Sequence, residues 1–120
     1  VGELEHLLLL AVLQCERDDT DAYTVPIRQQ LIERTGRAIA RGAVHTSLDR
    51  LELKGLVAST MGDPLAIRGG RARRYYTVTA LGLQAIRHAQ AAVLTLSAGL
   101  DTLLAEGPTA GTHRGRPSRS

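Results

Sequence analysis

Between Leu56 and Thr79 the chain abandons the three-and-four spacing of apolar residues that governs the sequence on either side. Leu56–Thr60 and Ala72–Thr79 are rich in Val, Thr, Tyr and Ser, the residues of strands. Gly62-Asp63-Pro64 and Gly69-Gly70 between them are turn signals, so the two segments read as a hairpin with a long tip. The rest of the chain reads as helix. The expected order is helix, helix, helix, hairpin, long helix, a mainly α fold with one small antiparallel β-hairpin.

The first helix is expected over residues 3–15. Leu4, Leu7, Leu8, Ala11 and Val12 form one apolar face, and Leu9, Leu10 and Leu13 fall outside it. A helix apolar nearly all round is covered on both sides, either by a second subunit or as the central helix of a monomer. The second helix starts about Ala22–Thr24 and runs to Thr35. Pro26 sits in its first turn, where a missing N–H does little harm, and Gly36 follows as a left-handed cap. The third helix runs from about Arg41 to Lys54 and is closed by Gly55, with Val44, Leu48 and Leu51 as its buried stripe. Its opposite face carries Gly42, Thr46, Asp49 and Arg50, flanked by His45 and Ser47.

Thr79 is placed to cap a last helix over about 80–106. Ile86, Ala89, Val93, Leu96, Leu100 and Leu103 alternate in steps of three and four, a heptad seam of almost three repeats. A seam with no later element to pack on points to a partner subunit, with folding back on its own domain as the alternative. Leu4, Leu8 and Leu9 of the first helix, with Ile86, Val93, Leu96, Leu100 and Leu103 of the last, are therefore the expected homodimer interface. Residues 107–120, rich in Gly, Pro, Ser, Thr and Arg, read as a disordered tail that is inert or adds weak attraction to DNA through Arg114, Arg116 and Arg119.

A chain of 120 residues makes one core. It has no Phe or Trp and three Tyr, so that core is built of Leu, Val, Ile and Ala, which suits packed helices and argues against an aromatic-lined cofactor pocket. One Cys excludes an internal disulfide; Cys15 has no His or Asn partner pattern, so it reads as a small buried residue before it reads as a redox sensor. No signal-peptide pattern is visible and Leu7–Leu10 is too short to span a bilayer, so a cytoplasmic location without membrane partners is the expectation. His6, His45, His88 and His113 lack metal-ligand spacing, and Gly69-Gly70 lies in the wrong context for a phosphate loop. No catalytic residue, metal or cofactor is expected, and the chain does not read as an enzyme.

What remains is charge on helices and on the hairpin. Two helices joined by a short turn, the second polar outward, outline a helix-turn-helix, and a following hairpin makes it winged. An α-helix fits the major groove of double-stranded DNA, so the outer face of the third helix can reach base edges. Arg50 can donate to guanine or to phosphate, or pair with an acid within the fold. Thr46 and Ser47 can reach phosphate or base, or be simple surface hydroxyls. His45 can donate to phosphate, more strongly when protonated. Arg41 opens the helix and joins the candidate set. Asp49 repels phosphate unless an Arg neutralises it, a cytosine donates to it, or it lies away from the backbone. On the hairpin, Arg68, Arg71, Arg73 and Arg74 surround Gly69-Gly70 and fit the electronegative minor groove. Successive side chains on a strand face opposite ways, so one of Arg73 and Arg74 faces DNA and the other solvent or an acid.

The segments 35–57 and 70–82, with Gly2-Glu3-Leu4-Glu5 and Asp21-Ala22-Tyr23-Thr24-Val25-Pro26-Ile27, resemble the PadR family over roughly residues 2–105. The resemblance implies a winged helix-turn-helix over 1–79 and a dimerisation helix over 80–106. It also implies a homodimeric, usually repressing regulator, whose relatives often release DNA on binding a small effector. By the same resemblance Tyr23, Thr46, Arg73 and Tyr76 lie near DNA or support the wing, Tyr76 structurally. His45 stands where the family usually has Tyr, and Thr24 where it often has Gly. The alternative reading is a winged-helix protein-interaction module that does not bind DNA.

Overall fold

The computed structural model describes residues 2–62 and 73–106. Its chain falls into two compact units, residues 1–89 and 90–120. The first unit begins with three helices, α1 (Glu3–Arg17), α2 (Thr24–Thr35) and α3 (Arg41–Leu53). The strands β1 (Val57–Met61) and β2 (Arg74–Val78) follow, then α4 (Ala80–Ser97) and α5 (Asp101–Glu106). The strands pair antiparallel, Val57 opposite Val78 and Met61 opposite Arg74. The three helices, the hairpin and its strand composition are as the sequence predicts.

Local chemistry explains each boundary. Glu3 and Glu5 lie in the first turn of α1 and Arg17 in its last, the arrangement that complements the helix dipole. The helix closes where the Thr20 N–H donates to the Cys15 carbonyl at 2.8 Å. Pro26 sits in the first turn of α2, and Gly36 ends that helix at φ 72°. The turn to α3 is held from the side: the Arg28 Nε donates to the Ile39 carbonyl at 2.6 Å, and Arg37 pairs with Glu3 at 3.2 Å.

Helix α1 is the centre of the domain. It packs against α2, α3 and β2. Leu8, Leu9, Val12 and Cys15 are fully buried, as are Ile27, Val44, Leu48, Leu51 and, nearly so, Leu31, Val57 and Tyr76. Leu4, Leu7, Leu10 and Leu13 pack partly against the same core. Leu8 and Leu9, expected at a subunit interface, therefore have no surface to offer one. Three elements of the same chain surround α1, and that is why it is apolar nearly all round. Ile86 is likewise in this core at 6 % exposure, not on a seam. Leu4 alone of the three α1 candidates keeps part of its surface.

The hairpin is fastened to the helices at both ends. The Tyr76 N–H donates to the Ala22 carbonyl at 2.8 Å, tying β2 to the loop before α2. At the other end Thr79 makes a joint. Its N–H donates to the Leu56 carbonyl at 3.1 Å, its hydroxyl donates to the Gly55 carbonyl at 2.7 Å, and that hydroxyl accepts from the Gly82 N–H at 3.0 Å. Thr79 thus caps α4, as expected. The helix can come this close only because residue 82 is glycine: a Cβ there would lie 2.1 Å from the Leu56 carbonyl oxygen.

The expected single helix over 80–106 is two helices. Gly99, at φ 82°, adopts the left-handed conformation that ends helices, and the chain restarts as α5 at Asp101. Val93, Leu94, Leu96, Leu103 and Leu104 are all exposed by more than 60 %, and Leu100 by 39 %.

Candidate nucleic-acid interface

The outer face of α3 presents Arg41, Gly42, His45, Thr46 and Arg50 to solvent. Ser47 does not join them. It is 7 % exposed, because it falls beside Val44, Leu48 and Leu51 on the side that packs into the core. Asp49 is half-exposed among the outward residues. His45 Nε2 lies 3.8 Å from an Asp49 carboxylate oxygen, one helical turn away, a pair that becomes ionic only when the histidine is protonated.

Strand β2 settles the fate of the two adjacent arginines by alternation. Arg74 shares a side with Tyr76, toward α3. Its guanidinium lies 4.0 Å from Asp49 and 3.7 Å from Glu52, so this arginine, expected among the DNA-facing set, is committed to acids of the same chain. Glu52 also accepts from the Ser59 hydroxyl at 2.6 Å. The network answers the difficulty Asp49 poses, since the negative charge on the outward helix face has a cation beside it. Arg73 shares the other side with Tyr75. Its guanidinium carbon stands 4.3 Å from the centre of the Tyr23 ring, within cation–π range, and the Tyr23 and Tyr75 rings meet edge to face at 5.9 Å and 80°. Among the described residues no carboxylate lies within ion-pair distance of Arg73.

Arg68 and Arg71 lie outside the described residues. Tyr75 and Glu52 were not among the residues expected at this site, and Gly62 was expected only as part of a turn. Strand alternation was the available signal for Tyr75, which had to share a side with Arg73. Gly62 leaves room for the Tyr75 ring: a Cβ at residue 62 would stand 2.6 Å from Tyr75 Cε2, so the ring would have to shift. Tyr76, expected to be structural, is 3 % exposed; burial pushes its phenol pKa up, and its hydroxyl has no hydrogen-bond partner among the described residues.

Among the described residues no three His, Cys, Asp or Glu side chains converge on a point where a metal could sit. Cys15 is fully buried, and desolvation, helped by Asp18 and Glu16, pushes its thiol pKa up, away from a reactive thiolate. No helix among the described residues is long and apolar enough to cross a membrane.

The model of the transcriptional regulator PadR-like family matches residues 9–88, two thirds of the sequence. The chain belongs to the PadR-like family. Solved structures agree in fold. A PadR family regulator from Clostridium difficile R20291 is 19 % identical with a TM-score of 0.66, covering 86 % of this chain and 99 % of its own. A PadR-like transcription factor from Bacteroides fragilis is 20 % identical with a TM-score of 0.67, covering 85 % and 90 %. A PadR family regulator from Eggerthella lenta DSM 2243 is 28 % identical with a TM-score of 0.59, covering 79 % and 80 %. No curated protein matches the sequence significantly. As a PadR-like protein the chain is a transcriptional regulator with a winged-helix fold and not an enzyme.

Proposed function

We propose that this PadR-like chain is a sequence-specific regulator that acts as a homodimer on an inverted repeat in double-stranded DNA. The observation that carries the reading is an outward polar face on α3 together with a hairpin arginine, Arg73, that is stacked on Tyr23 and meets no carboxylate among the described residues. The acid that would spoil that face is already neutralised by Arg74. In this reading residues 1–79 contact DNA. Arg41, His45, Thr46 and Arg50 enter the major groove, and Arg73, with Arg68 and Arg71 of the hairpin tip, reaches backbone or minor groove. Residues 80–106 pair two chains through Val93, Leu96, Leu100 and Leu103, whose exposed apolar surface a soluble monomer would leave in water. Two copies of α3 then meet successive major grooves roughly 34 Å apart. Repression in the cytoplasm, and release by a small effector, are part of the same proposal and are supported by family membership alone.

The test is selection of bound duplexes from a random pool, followed by titration of the recovered sequence across salt. Affinity is expected to fall steeply as salt rises. Arg50→Ala is expected to cost about 1–3 kcal/mol and to relax preference at one base position. A chain that dimerises but shows no salt-sensitive duplex binding would instead be a protein-interaction module.

A further inference from the structure

Tyr23 lies fifty positions from Arg73 in sequence, yet both ends of their contact are mounted on one strand. The Tyr76 N–H holds the Ala22 carbonyl at 2.8 Å, so the residue before Tyr23 is bonded to β2 itself. Three residues before Tyr76, at the entry to that strand, Arg73 lays its guanidinium over the Tyr23 ring at 4.3 Å. The ring is held from a second direction by the edge of Tyr75, which is in turn seated on Gly62. Gly62 completes the frame: its N–H donates to the Arg73 carbonyl at 2.7 Å, one step beyond the Met61–Arg74 pair. The backbone of Arg73 is therefore fixed by the ladder and its side chain by a ring that is itself braced.

We propose that Tyr23 is a positioning residue for DNA binding, a platform on which Arg73 is stacked with its N–H donors turned outward before the duplex arrives. This rests on the DNA-binding reading above and assigns Tyr23 an indirect part in it. A guanidinium is planar, and all its donors lie in that plane, so stacking one face on a ring leaves the donors unspent. An ion pair would instead turn the charge toward acids of the same chain, as Arg74 is turned toward Asp49 and Glu52 on the opposite side of the strand. Stacking also removes much of the rotamer freedom that a long, exposed arginine would lose on binding. Where the donors meet phosphate, the benefit does not depend on the DNA sequence.

The proposal predicts that the ring matters and its hydroxyl does not. Titrations use a fluorescein-labelled duplex recovered by the selection above, with a scrambled duplex in parallel. Tyr23→Leu is expected to weaken binding about two- to fivefold on both duplexes, and Tyr23→Phe to bind like the wild type. In an Arg73→Ala background, Tyr23→Leu is expected to add less than about 1.5-fold, because the two residues act as one unit. Proton NMR of the free protein gives a readout independent of DNA. The Arg73 δ-methylene protons should be shifted upfield by the ring in wild type and Tyr23→Phe, and not in Tyr23→Leu, with thermal melting confirming that each variant is folded. If Tyr23→Phe is as weak as Tyr23→Leu, the hydroxyl touches DNA and the platform is wrong. Additive losses in the Arg73→Ala background would also overturn it. A wild-type chain that binds no duplex overturns the DNA-binding reading, and with it the use proposed for the platform; the upfield shift would then show only that the stack exists.

Discussion

Helix α1 and the stretch from Val93 to Leu104 are the two most leucine-rich parts of the chain, and the structure uses them in opposite ways. Leu8 and Leu9 are fully covered by residues of their own chain; Leu96 and Leu103 are 80 % and 65 % exposed. Both stretches have the spacing of a contact surface. The difference lies in what covers it: α1 is met by α2, α3 and β2, whereas residues 100–106 are all exposed. Apolar periodicity reports that a face wants covering and leaves open which chain supplies the cover.

The strongest way to break this comparison is to truncate one leucine in each stretch. Leu9→Ala should cost about 3 kcal/mol in urea unfolding, the usual price of an aliphatic core cavity. An equal loss for Leu96→Ala at concentrations too dilute for self-association would show that the second stretch is also internal. Next in size is the effect on assembly. Leu96→Asp combined with Leu103→Asp should weaken self-association by at least about tenfold, since each carboxylate would be buried without a partner. The far-ultraviolet circular dichroism should hardly change. Sedimentation equilibrium reads the first quantity, and an unaltered dimer constant would remove Val93, Leu96, Leu100 and Leu103 from the proposed interface.

The smallest effect sharpens the comparison at a polar residue. Glu5 of α1 is 9 % exposed, and its carboxylate accepts from the Lys54 ammonium at 2.7 Å. That hydrogen bond holds its pKa below the ordinary 4.5, against the opposing push of desolvation. A carboxyl whose folded pKa is depressed adds stability above its unfolded value, and the contribution is lost as pH falls through the folded one. Glu5→Gln should therefore cost about 1 kcal/mol at neutral pH, modest because Lys54 is half-exposed. The urea midpoints of variant and wild type should converge as the pH drops below 4.5. A constant gap at every pH would mean that the charge of Glu5 contributes nothing.

The helices and the hairpin were legible because each rests on local signals: Pro26 and Gly36 bounding α2, Gly55 closing α3, the Val- and Tyr-rich strands, and Thr79 before α4. Gly99 was missed because Leu96, Leu100 and Leu103 keep seam spacing straight across it, and spacing is blind to a left-handed residue between them. Ser47 was misplaced because it flanks the apolar stripe, where the neighbouring elements and not the helical period decide which side is inside. At the interface, alternation foresaw that Arg73 and Arg74 part company. It gave no means of telling which finds an acid, because Asp49, Glu52 and Tyr23 are distant in sequence and are brought to the strand only by the fold.

All three tyrosines gather around β2, two in the stack with Arg73 and one in the core, and the sequence has neither Trp nor Phe. The near-ultraviolet absorption and intrinsic emission of these 120 residues therefore come from one small neighbourhood. An unlabelled, unaltered sample already carries a local optical reporter, and any change in its tyrosine signal when another molecule is added originates within a few side chains of Arg73.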